Sequence, residues 1–96
     1  MNETLANHIP DTSYALINQL RPEVQKLFFD AFSEVLNAMF FQQATWTREP
    51  LREVELTSAE ELALSQLFYS CKCECYFGYR HLPDTVPYRV MYVVKH

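Results

Sequence analysis

Residues 58–80, SAEELALSQLFYSCKCECYFGYR, carry two hydrophobic periods in succession. Leu64, Leu67, Phe68 and Cys71 recur at steps of three and four, the spacing of one face of an α-helix, with Leu62 and Ala63 beside it. Thr57 with Glu60, or Ser58 with Glu61, forms a capping box at its start, so the helix is expected to open there and run to about Ser70. From Cys71 onward the step is two. Cys71, Cys73, Cys75, Phe77 and Tyr79 alternate with Lys72, Glu74, Tyr76, Gly78 and Arg80, which predicts a strand. Tyr88, Val90, Tyr92 and Val94 alternate with Arg89, Met91, Val93 and Lys95 in the same way, and Pro83-Asp84 between the two runs suits the middle of a type I turn.

Two such runs make an antiparallel hairpin. Taking the odd positions of the first strand and the even positions of the second as apolar faces, opposed residues must differ in parity. The register that sets Glu74 against Lys95 is then preferred to one that sets Lys72 against Lys95, because opposed charges stabilise and like charges do not. A lone hairpin is marginal in water. Either the extended piece Leu51–Leu56, with Arg52, Val54 and Leu56 on one side, supplies a third strand, or the hairpin pairs with a second copy.

Upstream, Val24, Leu27, Phe28, Ala31, Phe32, Val35, Ala38 and Met39 form one helical stripe and predict a long helix over 22–44. Pro22 at its first position and Glu23 in its first turn fit the start. Phe29, Leu36 and Phe40 lie beside the stripe and widen the apolar arc to about 220° at ~100° per residue. That is more than one covering layer needs. The helix is therefore expected either to be central or to present surface to a partner. Pro10-Asp11-Thr12-Ser13 opens a shorter helix, about 13–20, and the first ten residues read as a loose lead-in with room for one helical turn. The expected fold is an α+β domain spanning 1–96: three helices, one long and central, followed by a C-terminal antiparallel β-hairpin and room for a third short strand.

The 96 residues are 49% hydrophobic and 15% aromatic, enough for a core and unlike a disordered chain. The net charge of −4 divides into ten acids and four bases over 1–71, then two acids and four bases over 72–96. Neither part is basic enough to make a phosphate backbone the main partner. No apolar run is long enough for a membrane span, and Met1 to Pro10 lacks the basic start of a signal peptide, so a cytoplasmic protein is expected. The three cysteines agree: at i, i+2 on a strand they stand ~6.5–7 Å apart, too far for ordinary disulfides.

Cys71, Cys73 and Cys75, with His81 and His96, are the one group with zinc-like chemistry. Thiolates along a straight strand cannot share one ion, no CxxC is present, and the cysteines are expected in the core rather than on a metal. Glu60 and Glu61 read as first-turn helix acids, and Glu53 and Glu55 as a solvated face. With one glycine, no phosphate cradle is available, and no catalytic set or cofactor motif is found.

The functional expectation is a non-enzymatic protein-interaction domain, a small inhibitor, immunity factor or adaptor, with a phage or mobile-element anti-defence inhibitor as one such role. It is expected to bind another protein, as a homodimer, through Phe29, Leu36, Phe40, Phe41 and Trp46. Trp46 fits a core cap as well as a binding hot spot. The alternative is a small-ligand or nucleotide-binding regulator using Tyr76, Arg80, Tyr88, Arg89 and Tyr92, which offer stacking surfaces and anion contacts.

Overall fold

The computed structural model describes residues 3–42, 46–51 and 54–96. In chain order the elements are α1 (Glu3–Asn7), a 3₁₀ turn (Asp11–Ser13), α2 (Tyr14–Ile17), α3 (Pro22–Asn37), a π turn (Ala38–Gln42), β1 (Trp46–Pro50), α4 (Ser58–Ser70), β2 (Cys73–Arg80) and β3 (Tyr88–Lys95). The expected α+β class and long helix are present, and the hairpin gains a third strand. The sheet is antiparallel in the order β1-β3-β2, so the last strand in sequence is the central one in space.

α3 starts with Pro22 at its first turn, where the missing N–H costs nothing. Its stripe, Val24, Leu27, Phe28, Ala31, Phe32 and Val35, is buried throughout. Phe28 meets Phe68 of α4 at 4.9 Å between ring centroids and Phe32 at 5.6 Å, placing an aromatic cluster at the centre of the helical layer. α4 uses the Thr57–Glu60 capping box: the Glu60 N–H donates to Thr57 Oγ1 at 3.1 Å, and the Thr57 N–H donates to Glu60 Oε1 at 3.0 Å. Its stripe residues Leu64, Leu67 and Phe68 are buried against the same core. Leu5 and Ile9 join them, so the expected lead-in is a packed part of the domain.

Three expectations need correction. The third strand is Trp46–Pro50, ahead of the expected Leu51–Leu56; among the described residues of that segment the Leu51 N–H alone carries the pairing on, donating to the Arg89 carbonyl at 2.8 Å. Arg52 and Glu53, and the last two residues of the helix expected over 22–44, lie outside the described residues; α3 itself ends at Asn37 and continues as the π turn to Gln42. The hairpin register is one residue away from that expected: Cys73 opposes Lys95, and Glu74 opposes Val94. Met91 and Val93 therefore point into the core with Cys73, while Tyr88, Val90, Tyr92 and Val94 lie on the other face. The physical reason is that the two charged residues of the inward face are held at its ends. Arg89 bonds Glu61 of α4, and the Lys95 Nζ donates to the Cys71 carbonyl at 3.1 Å. Finally, Asp84 takes φ 62°, and the Thr85 N–H donates to the Leu82 carbonyl at 3.2 Å. A positive φ at the third residue defines a type II turn instead of type I.

The helices cover one face of the sheet; among the described residues no helix lies on the other, the open face, although Val90 on it is fully buried. Directly opposed residues give this open face as rows across the three strands: Trp46, Val94, Glu74; then Arg48, Tyr92, Tyr76; then Pro50, Val90, Gly78. Gly78 matters here because the Tyr92 ring leans across it, with Cε2 3.8 Å from where a β-carbon would stand.

Candidate functional site

Three large exposed aromatic side chains lie where the π turn and β1 meet, while Leu62, Tyr69, Tyr76, Tyr79 and Val86 are exposed elsewhere. The π turn widens the last turn of the helix, a distortion common at functional positions. Phe40 is 55% exposed and Phe41 82% exposed on this turn, and Trp46 is 54% exposed at the start of β1. The turn and β1 lie against each other, and the ring of His8 approaches Phe40 at 6.3 Å between centroids. β1 is tied to the helix by Thr47 Oγ1, which donates to Glu34 Oε2 at 3.1 Å.

Five residues were expected on this partner-binding face, and the structure divides them. Phe40, Phe41 and Trp46 are exposed in neighbouring elements. Leu36, at 3% exposure, is a core residue and does not reach the surface. Phe29 is half-buried, edge-on against Phe28 at 5.3 Å, and lines a shallow groove with Leu5, Gln25 and Lys26. α1 packs on α3, which uses up the part of the apolar arc that looked surplus.

The ligand-binding alternative also divides. Tyr76 and Tyr92 are directly opposed on the open sheet face, and Tyr88 opposes Arg80 there. Arg89 belongs to the opposite face, because its position in β3 is odd. Its guanidinium donates to both carboxylate oxygens of Glu61, at 2.6 Å to Oε2, and stacks 5.7 Å from the Phe77 ring centre and 5.2 Å from that of Tyr79. Tyr88 and Arg89 instead meet in a cleft of about 910 Å³ between Leu51 with residues 54–57 on one side and residues 85–89 on the other, with Arg21 on its wall. Arg21 is itself engaged, donating from Nε to Glu60 Oε2 at 2.6 Å. Glu60 and Glu61, expected as first-turn and capping-box acids, thus also fasten the starts of α3 and β3 to α4. The charge alternation in sequence gives no sign of this, since both partners are distant in the chain. Arg48, on the open face beside Tyr92, was likewise passed over; only knowledge that 46–50 is a strand would have singled it out.

Two groups of chemically active side chains remain. Burial holds the cysteines as thiols, pushing Cys73 up to about 11 and Cys75 up to about 12, with Cys71 also raised. A thiol so held is a poor nucleophile. Among the described residues, no three His, Cys, Asp or Glu side chains converge as a metal ion would need. On the inner side of β1, Glu49 stands against Glu34 of α3. Burial first, then its hydrogen bond to Glu34 and the charges of Glu34 and Asp30, push its carboxyl up to about 8. Two carboxylates in contact hold one proton between them.

Helices layered on one face of a three-stranded antiparallel sheet define the class of fold. No protein-family model, no curated protein and no solved structure matches the chain. Among the described residues no helix is long and apolar enough to cross a membrane.

Proposed function

We propose that the domain is a non-enzymatic interaction module, of the inhibitor, immunity-factor or adaptor kind, that binds another protein through Phe40, Phe41 and Trp46 and works as a homodimer. The observation that carries this reading is the exposure of those three large aromatics in adjoining elements, 55%, 82% and 54% respectively. Scattered exposed apolar residues are ordinary, whereas grouped aromatics are the common anchors of protein interfaces. The test is affinity capture with the wild-type domain and with a Phe41→Ser/Trp46→Ala variant. A partner purified from the wild-type capture is expected to bind the variant at least tenfold more weakly in calorimetry, with the unfolding midpoint of the domain unchanged. Equal affinity for both proteins refutes the assignment of this surface.

A second reading, a small-ligand or nucleotide-binding regulator, is favoured by one observation: Tyr88 and Arg89 line the same cleft as Arg21. Both arginines are already paired with α4 carboxylates, so an anionic ligand has to compete with Glu60 and Glu61. A thermal-shift screen of nucleotides decides, since a ligand specific to the folded state must raise the melting temperature as its concentration rises. Flat melting curves across the screen remove this reading.

A further inference from the structure

β2 is an edge strand of eight residues, Cys73 to Arg80, hydrogen-bonded in the sheet only to β3. It lacks most of the devices that keep edges from pairing: it is long, unbulged over its whole register with β3, and free of proline and lysine, its only charges being Glu74 and Arg80, which are opposite in sign. The opposite edge, β1, is shorter and ends at Pro50. Tyr76 and Tyr79, on opposite faces of the β2 edge, are 53% and 70% exposed.

From this edge we propose that two copies of the chain join through β2, antiparallel, with Phe77 opposite Phe77 of the second copy, to form one continuous six-stranded sheet. This specifies the interface of the homodimer named above and rests on that reading. The register follows from charge. A twofold axis normal to the sheet keeps each face on its own side, so opposed residues must share parity. Centring on Phe77 sets Glu74 against Arg80 of the second copy and, by symmetry, Arg80 against its Glu74, two opposed-charge pairs on the open face. It also sets Tyr76 against Gly78, where no side chain competes for space. Centring on Tyr76 instead sets Glu74 against Gly78, with no charge to meet it, and leaves Arg80 facing Lys72, a like charge just before the strand. Centring on Gly78 leaves Glu74 opposite Leu82, beyond the strand. Among the described residues Arg80 has no acidic partner within its own chain. Glu74 receives His96 Nε2 at 2.9 Å on Oε1 and the Tyr76 hydroxyl on Oε2. A carboxylate accepts about four hydrogen bonds, so a guanidinium can still be received.

Light scattering behind a sizing column, with circular dichroism to verify folding, tests this on the full chain. Wild type is expected at twice the 11.3 kDa chain mass. Glu74→Arg and Arg80→Glu each place like charges in both pairs and are expected to weaken the dimer at least tenfold. The double variant E74R/R80E exchanges the partners and is expected to restore it. A monomeric wild type overturns both the homodimer and this interface. A dimer whose mass is indifferent to the single reversals, or a double variant that stays monomeric, overturns the interface and its register while leaving self-association through another surface.

Discussion

Leu36→Ala is expected to lower the unfolding free energy by about 2–5 kcal/mol, while Phe41→Ala changes it by no more than about 0.5 kcal/mol. Both residues sit on the C-terminal part of the long helix and both look like surplus apolar surface in sequence. Their surroundings are opposite: Leu36 is 3% exposed within the main core, and Phe41 is 82% exposed. Truncating Leu36 removes buried methyl groups and leaves a cavity, whereas truncating Phe41 gives up contact chiefly with solvent. For a domain this size the whole stability is of order 5–15 kcal/mol, so Leu36→Ala should shift the urea midpoint visibly or unfold the chain. Urea denaturation of the two variants side by side checks the assignment. A Leu36 variant as stable as wild type would mean that the helix face does open to a partner.

That contrast locates what the sequence could and could not supply. The stripe from Val24 to Val35 was legible because six positions repeat at helical spacing, and α4 because its capping box and stripe agree. Part of the apolar arc that looked surplus is covered because α1, in a segment with no strong pattern, packs on α3. A nonlocal contact of that kind leaves no mark on helical periodicity. β3 was misaligned for a related reason. As the central strand it is apolar on both faces, Val90 and Met91 being equally buried, so alternation alone cannot choose the inward side. The choice was made by Arg89 reaching Glu61, 28 residues away in sequence. β1 escaped notice because its inner face is Thr47 and Glu49, polar residues that meet a polar patch on α3. In the candidate site, Phe40, Phe41 and Trp46 were visible as grouped aromatics, but the π turn that carries two of them has no sequence signature.

The polar patch under β1 leads to the second large effect, a loss of stability on going from pH 5 to pH 8. In the fold, Glu49 holds its proton up to about 8, against an ordinary value of 4.5. The groups that face it are Glu34 and Asp30 from α3 and Thr47 from its own strand, whose hydroxyl is given to Glu34. Lys26, the cation on that side of α3, is occupied by Asp30 at 2.6 Å. Between the two pKa values the folded chain binds a proton that the unfolded chain has released. Stability therefore falls as pH rises from about 4.5 to 8 and levels off above. In a dry site a shift of this size would carry several kcal/mol; the partial exposure of the pair screens it to ~1–2 kcal/mol. Glu49→Gln keeps the shape and the hydrogen bond without the titration. It is expected to match wild type at pH 5 and exceed it by that amount at pH 8. At the acid end the sign reverses. Arg21, then the Thr57 N–H, hold Glu60 down at about 2, so its contribution is complete above the ordinary carboxylate range and is lost as pH falls toward 2. These two carboxyls together put the stability maximum near pH 5. Urea midpoints measured from pH 3 to pH 9 test both limbs, and a wild type that grows more stable from pH 5 to pH 8 would mean that Glu49 is already ionised in the folded chain.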